Sequence, residues 1–229
     1  MHIAIGTPCY GGIVHSEYVT SLFNLQTLCN KLDIKLTIMF LANESLIQRA
    51  RNRIAHVFLQ STADYLMFID ADQSFIPKDV LSLIDANKGI IGGAVPMKGI
   101  NWDNVRDGAL KDHSNLEELT GIFNVNELPG HKMTDPQKPF QVKHVGTGFM
   151  LIARHVFDTL KPHVGWYYRN NEKVYDFFKV QNINNELLSE DYNLCHMYRE
   201  HGGTVWLAPW CELGHIGSYS FNGQYSKAN

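Results

Sequence analysis

Cysteine is scarce in this chain and unpatterned: Cys9, Cys29, Cys195 and Cys211 are scattered, with no C-x-x-C spacing. A zinc knuckle is therefore excluded as a reading, and no disulfide framework is indicated. No stretch reaches the ~18 consecutive apolar residues that a membrane-spanning helix needs. The opening Met-His-Ile-Ala-Ile-Gly-Thr-Pro lacks the charged and apolar regions of a secretory leader. The expectation is a soluble, cytoplasmic protein with no membrane span. Positive charge is not in excess either, with 20 Lys and Arg against 23 Asp and Glu and a formal net charge of −3. No general basic field attracts nucleic acid, which makes it the least favoured partner, though a local patch could still act. Internal repeats, low-complexity tracts and a lysine-bearing glycine-rich phosphate loop after the first strand are also missing.

What is present is an ordinary globular balance, 229 residues with 45% hydrophobic and 19% charged, enough for one large α/β domain with a substantial core. Residues 2–9 read as a strand and 16–32 as a helix with Ser16 as its N-cap. Residues 35–42 form a second strand, 45–60 a helix, and 65–72 a third strand ending in Asp70 and Asp72. A helix opened by Pro77 runs to about Ala86, and a strand follows over 89–95. This alternation argues for a parallel, doubly wound sheet flanked by helices. Residues 99–138 have weak periodicity and read as a mobile excursion over one end of the sheet. Order returns with a strong strand pattern over 140–154, a short helix over 155–160 and an aromatic, polar segment over 165–185. A helix from Ser189 to about His201 stops at Gly202-Gly203. A strand over 204–208 leads into a tail that ends polar.

Several clusters carry chemistry. In an extended segment Asp70 and Asp72 project to one side, at the carboxyl end of a strand, where open α/β sheets bind ligands. Two such acids repel unless positive charge lies between them, and a divalent cation supplies it; capping of a turn is the plainer role. Gly214-His215-Ile216-Gly217 sets an imidazole between glycines, where it can complete a mixed metal site that tolerates Mn²⁺, or be a surface His. Glu190 and Asp191 open a helix, which stabilises anions there; facing a cleft, one of them could take a proton from a hydroxyl. Gly146-Thr147-Gly148 interrupts its strand pattern, by a bulge or a close ligand approach. Arg49, Arg51, Asn52 and Arg53 form a solvated helix face or bring one guanidinium to a diphosphate. Lys98 is a further phosphate contact. Trp166, Tyr167, Tyr168, Tyr175, Phe177 and Phe178 either stack on a sugar ring or pack in the core.

Taken in order, Thr7-Pro8-Cys9-Tyr10, the Arg-containing helix, Phe68-Ile69-Asp70-Ala71-Asp72, Gly146-Thr147-Gly148-Phe149, Glu190-Asp191 and Gly214-His215 resemble the GT-A fold glycosyltransferases, in particular their large inverting group. The likeness spans nearly the whole chain except 99–138. It implies a single GT-A (Rossmann-like) domain with a mostly parallel central sheet. Residues 1–98 would be the nucleotide-sugar half, 99–138 a variable excursion and 139–229 the acceptor and catalytic half. It also implies a nucleotide-sugar donor, UDP-linked, and a divalent cation, Mn²⁺ ahead of Mg²⁺, held by Asp70, Asp72 and His215. Asp191 would be the catalytic base, with Glu190 supporting or competing. Thr7, Pro8 and Tyr10 would line the nucleotide pocket, and Arg49, Asp70, Lys98, Gly146, Thr147 and Gly148 would contact the donor. The acceptor would be a hydroxyl on a glycan or another molecule. The chain departs from the inverting pattern in lacking a Q-x-x-R-W segment, which separates it from the processive polysaccharide synthases. A sugar nucleotidyltransferase and an inactive sugar-binding GT-A domain are the competing readings.

Overall fold

The computed structural model describes residues 1–217, 220–224 and 226; the rest of the polar C-terminal tail lies outside them. The strands are β1 (His2–Cys9), β2 (Lys35–Ala42), β3 (Tyr65–Ile69), β4 (Gln73–Phe75), β5 (Ile90–Gly93), β6 (Asn126–Glu127), β7 (Phe140–His144), β8 (Phe149–Ala153), β9 (Trp166–Arg169), β10 (Glu172–Tyr175), β11 (Gln181–Ile183), β12 (Glu186–Leu188), β13 (Val205–Ala208), β14 (Leu213–Ile216) and β15 (Ser220–Gly223). The helices are α1 (Ser16–Lys31), α2 (Ile47–Gln60), α3 (Pro77–Asp85), α4 (Trp102–Leu110), α5 (Arg154–Leu160) and α6 (Glu190–Glu200). No helix among the described residues is long and apolar enough to cross a membrane.

The central sheet has eight strands in the order β2-β1-β3-β8-β5-β13-β7-β6. Its inner strands are apolar throughout because both faces are covered. In β3, Leu66 and Phe68 point to a core shared with α2, α5 and α6, while Met67 and Ile69 point to a second core under α1 and α3. The sheet is mostly parallel in strand direction, but β7 and β8 run against the rest, and β8 is inserted between β3 and β5. A run such as Phe-Met-Leu-Ile-Ala, buried on both faces, reads the same whichever way it runs. The insertion needs Gly92, since a Cβ there would come within 2.7 Å of the Phe149 carbonyl oxygen.

Three local expectations change. Ser16 is the first residue of α1 rather than its cap, and its hydroxyl bonds Glu17 instead. The pattern over 140–154 is two strands: Gly146-Thr147-Gly148 is no bulge but the loop carrying the chain from β7, past β13 and β5, to β8. The excursion 99–138 contains α4, capped by the Asn101 side chain accepting from Asn104 N–H, and it joins the sheet through the short strand β6. In the aromatic segment, Phe177 and Phe178 are core residues, while Trp166 and Tyr168 stay exposed on a hairpin.

A smaller sheet, β15-β14-β4, completes one end of the molecule. It is clipped to α3 in two places: Asp79 Oδ2 accepts from the Glu212 amide at 2.9 Å, and the Trp210 indole donates to Ser82 Oγ at 2.7 Å. Burial pushes the Asp79 carboxyl up to about 6, and the nearby Glu212 charge outweighs little of that amide's opposing pull. A carboxyl raised on folding favours the protonated state, so its ionisation costs stability above its unfolded pKa of about 4, with the full cost reached above pH 6. Asp79→Asn keeps the acceptor and removes the charge. Urea unfolding should show the variant about 1–3 kcal/mol more stable than the parent at pH 7.5, with the gap closing by pH 4; an equal gap at both values would exclude this origin.

Candidate active site

The carboxyl ends of β1, β3 and β5, the start of β8 and the N-terminus of α6 lie along one edge of the sheet. After β3 the chain does not stay extended. Residues 70–72 form a turn closed by Gln73 N–H on the Asp70 carbonyl at 3.1 Å, and the Ala71 carbonyl accepts from His15 N–H at 3.0 Å. The strand-pleat reason for Asp70 and Asp72 sharing a side therefore fails. Both nevertheless line one cleft of about 510 Å³, because the turn presents its side chains along the sheet edge.

The two acids have different partners. Asp70 Oδ1 accepts from Arg51 at 3.2 Å, and the same guanidinium pairs with Glu190. Arg51 and Glu190 side chains are 7% and 8% exposed, which makes this a buried ion pair between α2 and α6. Burial pushes the Asp70 carboxyl up; Arg51 opposes the rise, and the charges of Asp72 and Asp191 add to it. Asp72 would also rise by burial, but His215 and Lys98 hold it well below the usual carboxylate range. Its Oδ2 lies 2.8 Å from Lys98 Nζ and 3.3 Å from His215 Nε2.

His215 reaches Asp72 through backbone pairing. It stands opposite Gln73 in the β14–β4 ladder, and Ile216 N–H bonds the Asp72 carbonyl at 2.8 Å. Its Nδ1 faces the Pro96 carbonyl oxygen at 2.8 Å. A carbonyl only accepts, so Nδ1 carries the hydrogen and Nε2 is turned toward the Asp72 carboxylate. Without a proton there, that nitrogen presents a lone pair to an anion, and something positive must sit at this corner. An imidazole fixed by a carbonyl on one nitrogen and aimed beside a carboxylate with the other suits a divalent cation. Asp72 and His215 fit such an ion as two protein ligands. The expected third, Asp70, is not grouped with them: it is held by Arg51, and among the described residues no set of three His, Cys, Asp or Glu side chains is arranged as metal ligands.

Asp191 lies on the far side of the Gly146–Gly148 loop from Asp70. Its Oδ2 accepts from Thr147 N–H at 3.3 Å, and its Oδ1 from Ser189 Oγ at 2.5 Å and its neighbour's N–H at 2.9 Å. A Cβ on Gly148 would stand 3.5 Å from Asp70 Oδ2, and one on Gly146 3.7 Å from Asp191 Oδ2. This loop thus touches both acids. The Thr147 side chain is buried, so its contribution is the backbone amide.

Of the other expected donor contacts, Pro8 and Tyr10 line the cleft. Thr7 does not: it is fully buried beneath, bonding the Tyr18 hydroxyl at 2.6 Å. Arg49 turns to the cleft's edge, where it pairs with Glu44 at 2.5 Å, and Arg51 is the guanidinium that reaches the Asp70 turn. The residues not anticipated are Arg51 in this role and Glu44. Arg51 was legible in principle, because it shares the buried stripe of α2 with Ile54, Ala55 and Phe58, and an Arg at a core-facing helical position needs a carboxylate. Glu44 follows Asn43 at φ +60° and lies in the cleft, bonded to Arg49 and, at 2.8 Å, to Arg169. Burial alone would raise its carboxyl, yet Arg49, the Leu46 amide and Arg169 keep it below the usual range.

No family model matches the chain, and no curated protein sequence matches it significantly. Solved structures do. A197 from STIV is similar with a TM-score of 0.55 and 15% identity, over 95% of this chain and 86% of that one. The structure of GalNAc-T7 with UDP, GalNAc and Mn²⁺ is similar with a TM-score of 0.50 and 10% identity, over 94% of this chain and 44% of that one. At these identities the likeness is one of fold: an α/β domain of the GT-A-like type, as expected from the motif order.

Proposed function

We propose that this chain is a glycosyltransferase that moves a sugar from a nucleotide-sugar donor, UDP-linked, to an acceptor hydroxyl with inversion, using a divalent cation. The observation that carries the reading is the gathering of Asp72 with His215, and of Asp70 with Arg51 and Glu190 beside Asp191, along one sheet edge. The fold likeness to GalNAc-T7, crystallised with UDP, GalNAc and Mn²⁺, supports the donor class.

Pro8, Tyr10 and the 44–47 segment would surround the nucleoside, with the diphosphate over the Asp70–Asp72 turn. Asp72 and His215 would hold the cation, Mn²⁺ ahead of Mg²⁺, which offsets charge on the departing diphosphate when bound. Lys98, on the outer side of Asp72 and partly exposed, would add a mobile positive charge for the same oxygens. Glu190 is committed to Arg51, which leaves Asp191 to take the proton from the attacking hydroxyl. Its oxygens accept hydrogen bonds from one backbone loop and one hydroxyl, which fixes the direction of its free lone pairs. One base-assisted displacement inverts the anomeric carbon.

Calorimetric titration of UDP with and without Mn²⁺ tests the donor half. The parent should bind UDP at least tenfold more tightly with Mn²⁺, and Asp72→Ala and His215→Ala should each abolish that metal-dependent gain. UDP binding that ignores both Mn²⁺ and these substitutions would refute the assignment.

A further inference from the structure

A second cavity, of about 260 Å³, lies behind the Gly146–Gly148 loop. Gly146 is part of its wall, and Tyr192, next in sequence to Asp191, is another part. The loop therefore has the Asp70 cleft at its Gly148 end and this cavity at its Gly146 end, with Asp191 bonded to the amide between them. A group seated in the cavity is adjacent to the proposed base and across the loop from the proposed donor cleft.

The lining is chemically selective. Val95, Val125, Val145 and Leu207 make it largely apolar, and none of its lining residues carries a full charge. His144 stacks on Tyr192 with ring centroids 4.6 Å apart and planes at 14°. Burial first, then the positive charges of Arg199, His196 and Lys143, lower the His144 pKa to about 4, so the ring is neutral at pH 7. Its Nδ1 is buried and has no hydrogen-bond partner among the described residues. The Tyr192 hydroxyl, by contrast, already bonds Asn126 at 3.1 Å. A buried polar nitrogen left unmatched costs free energy, so the fitting occupant brings one polar atom to His144 and apolar surface to the valines and Leu207. The volume is below the roughly 300–1,000 Å³ of sites for drug-sized ligands, which limits the occupant to one sugar or a substituent of one.

We infer that this cavity receives the acceptor, and that the acceptor is an uncharged acylamino sugar, its amide at His144 Nδ1 and its acyl methyl among Val95, Val125 and Leu207. This rests on the glycosyltransferase reading and names the acceptor class for it. An amide offers both a donor and an acceptor, so it satisfies either tautomer of His144. A carboxylate or phosphate would be desolvated there without a cation to pair it.

Saturation-transfer NMR on the full chain, with and without UDP and Mn²⁺, decides the matter with three probes: the methyl β-glycosides of N-acetylglucosamine, glucose and glucuronate. The acetamido probe should bind about tenfold more tightly than the other two, the change expected from one buried hydrogen bond with its apolar contact. Val125→Trp, which fills the cavity, and His144→Phe, which keeps the stack but deletes the nitrogen, should each weaken that probe about tenfold and leave UDP binding unchanged. Equal binding of the three probes, preference for glucuronate, or undiminished binding to both variants would overturn the inference. Failure of UDP itself to bind would instead strike the donor reading, and the acetamido probe without UDP would still report on the cavity.

Discussion

Asp191→Asn is expected to lower the rate constant of sugar transfer by about 10²–10⁴-fold, the range over which a positioned general base acts, with little change in donor KM. Asparagine preserves the shape and can still accept from the Tyr192 amide and from one of the other two donors that hold Asp191, so the fold should survive. What is lost is the capacity to take a proton from the acceptor hydroxyl. Single-turnover transfer, with UDP release measured separately, isolates this step from donor binding. Glu190→Gln is the informative contrast. It breaks a charge pair with Arg51, and its defect should appear in stability and donor binding rather than in the pH profile of the chemical step. A parent-like kcat for Asp191→Asn across pH would remove Asp191 from the mechanism.

Arg51→Met is expected to destabilise the protein by about 3–5 kcal/mol, the usual result of stripping one partner from a buried ion pair. For a chain of this size that is a fall in Tm of roughly 6–20 °C. The methionine fills much of the space, so the loss is electrostatic: Glu190, only 8% exposed, is left without its counter-charge, and Asp70 loses the one group that opposes the rise in its pKa. Adding Glu190→Gln to Arg51→Met removes the stranded charge and should recover a sizeable part of the loss, a coupling that a double-mutant cycle measures directly. A single variant within about 1 kcal/mol of the parent, or a cycle with no coupling, would contradict the assignment of Arg51 as the tie between α2 and α6.

Much of this was legible beforehand, for identifiable reasons. The first three strands and the helices between them came from apolar periodicity and short loops, and the structure keeps them within a few residues. The motif order pointed to the edge where Asp70, Asp72, Glu190, Asp191 and His215 now stand. Less was legible where side chains choose among similar partners. Arg49 and Arg51 differ by two positions on one helix, and only packing decides which turns inward. Thr7 sits in the expected motif but faces Tyr18, since β1 alternates and its neighbour Pro8 takes the cleft side. Asp70 and Asp72 read as one metal-binding pair, whereas Arg51 draws the first into a separate ion pair.

By itself the sequence determined the layers: which segments are helix or strand, which runs are buried on both faces, and which end of the sheet carries the acids. Those follow from local periodicity and from where apolar runs stop. Only the tertiary structure decided strand direction and neighbourhood. It reversed β8 and set it between β3 and β5, with Gly92 leaving room. It also carried β14 back beside β4, so that residues 143 positions apart, Asp72 and His215, face each other. Such contacts depend on pairings between distant segments, and a buried apolar strand presents the same pattern to any neighbour and in either direction.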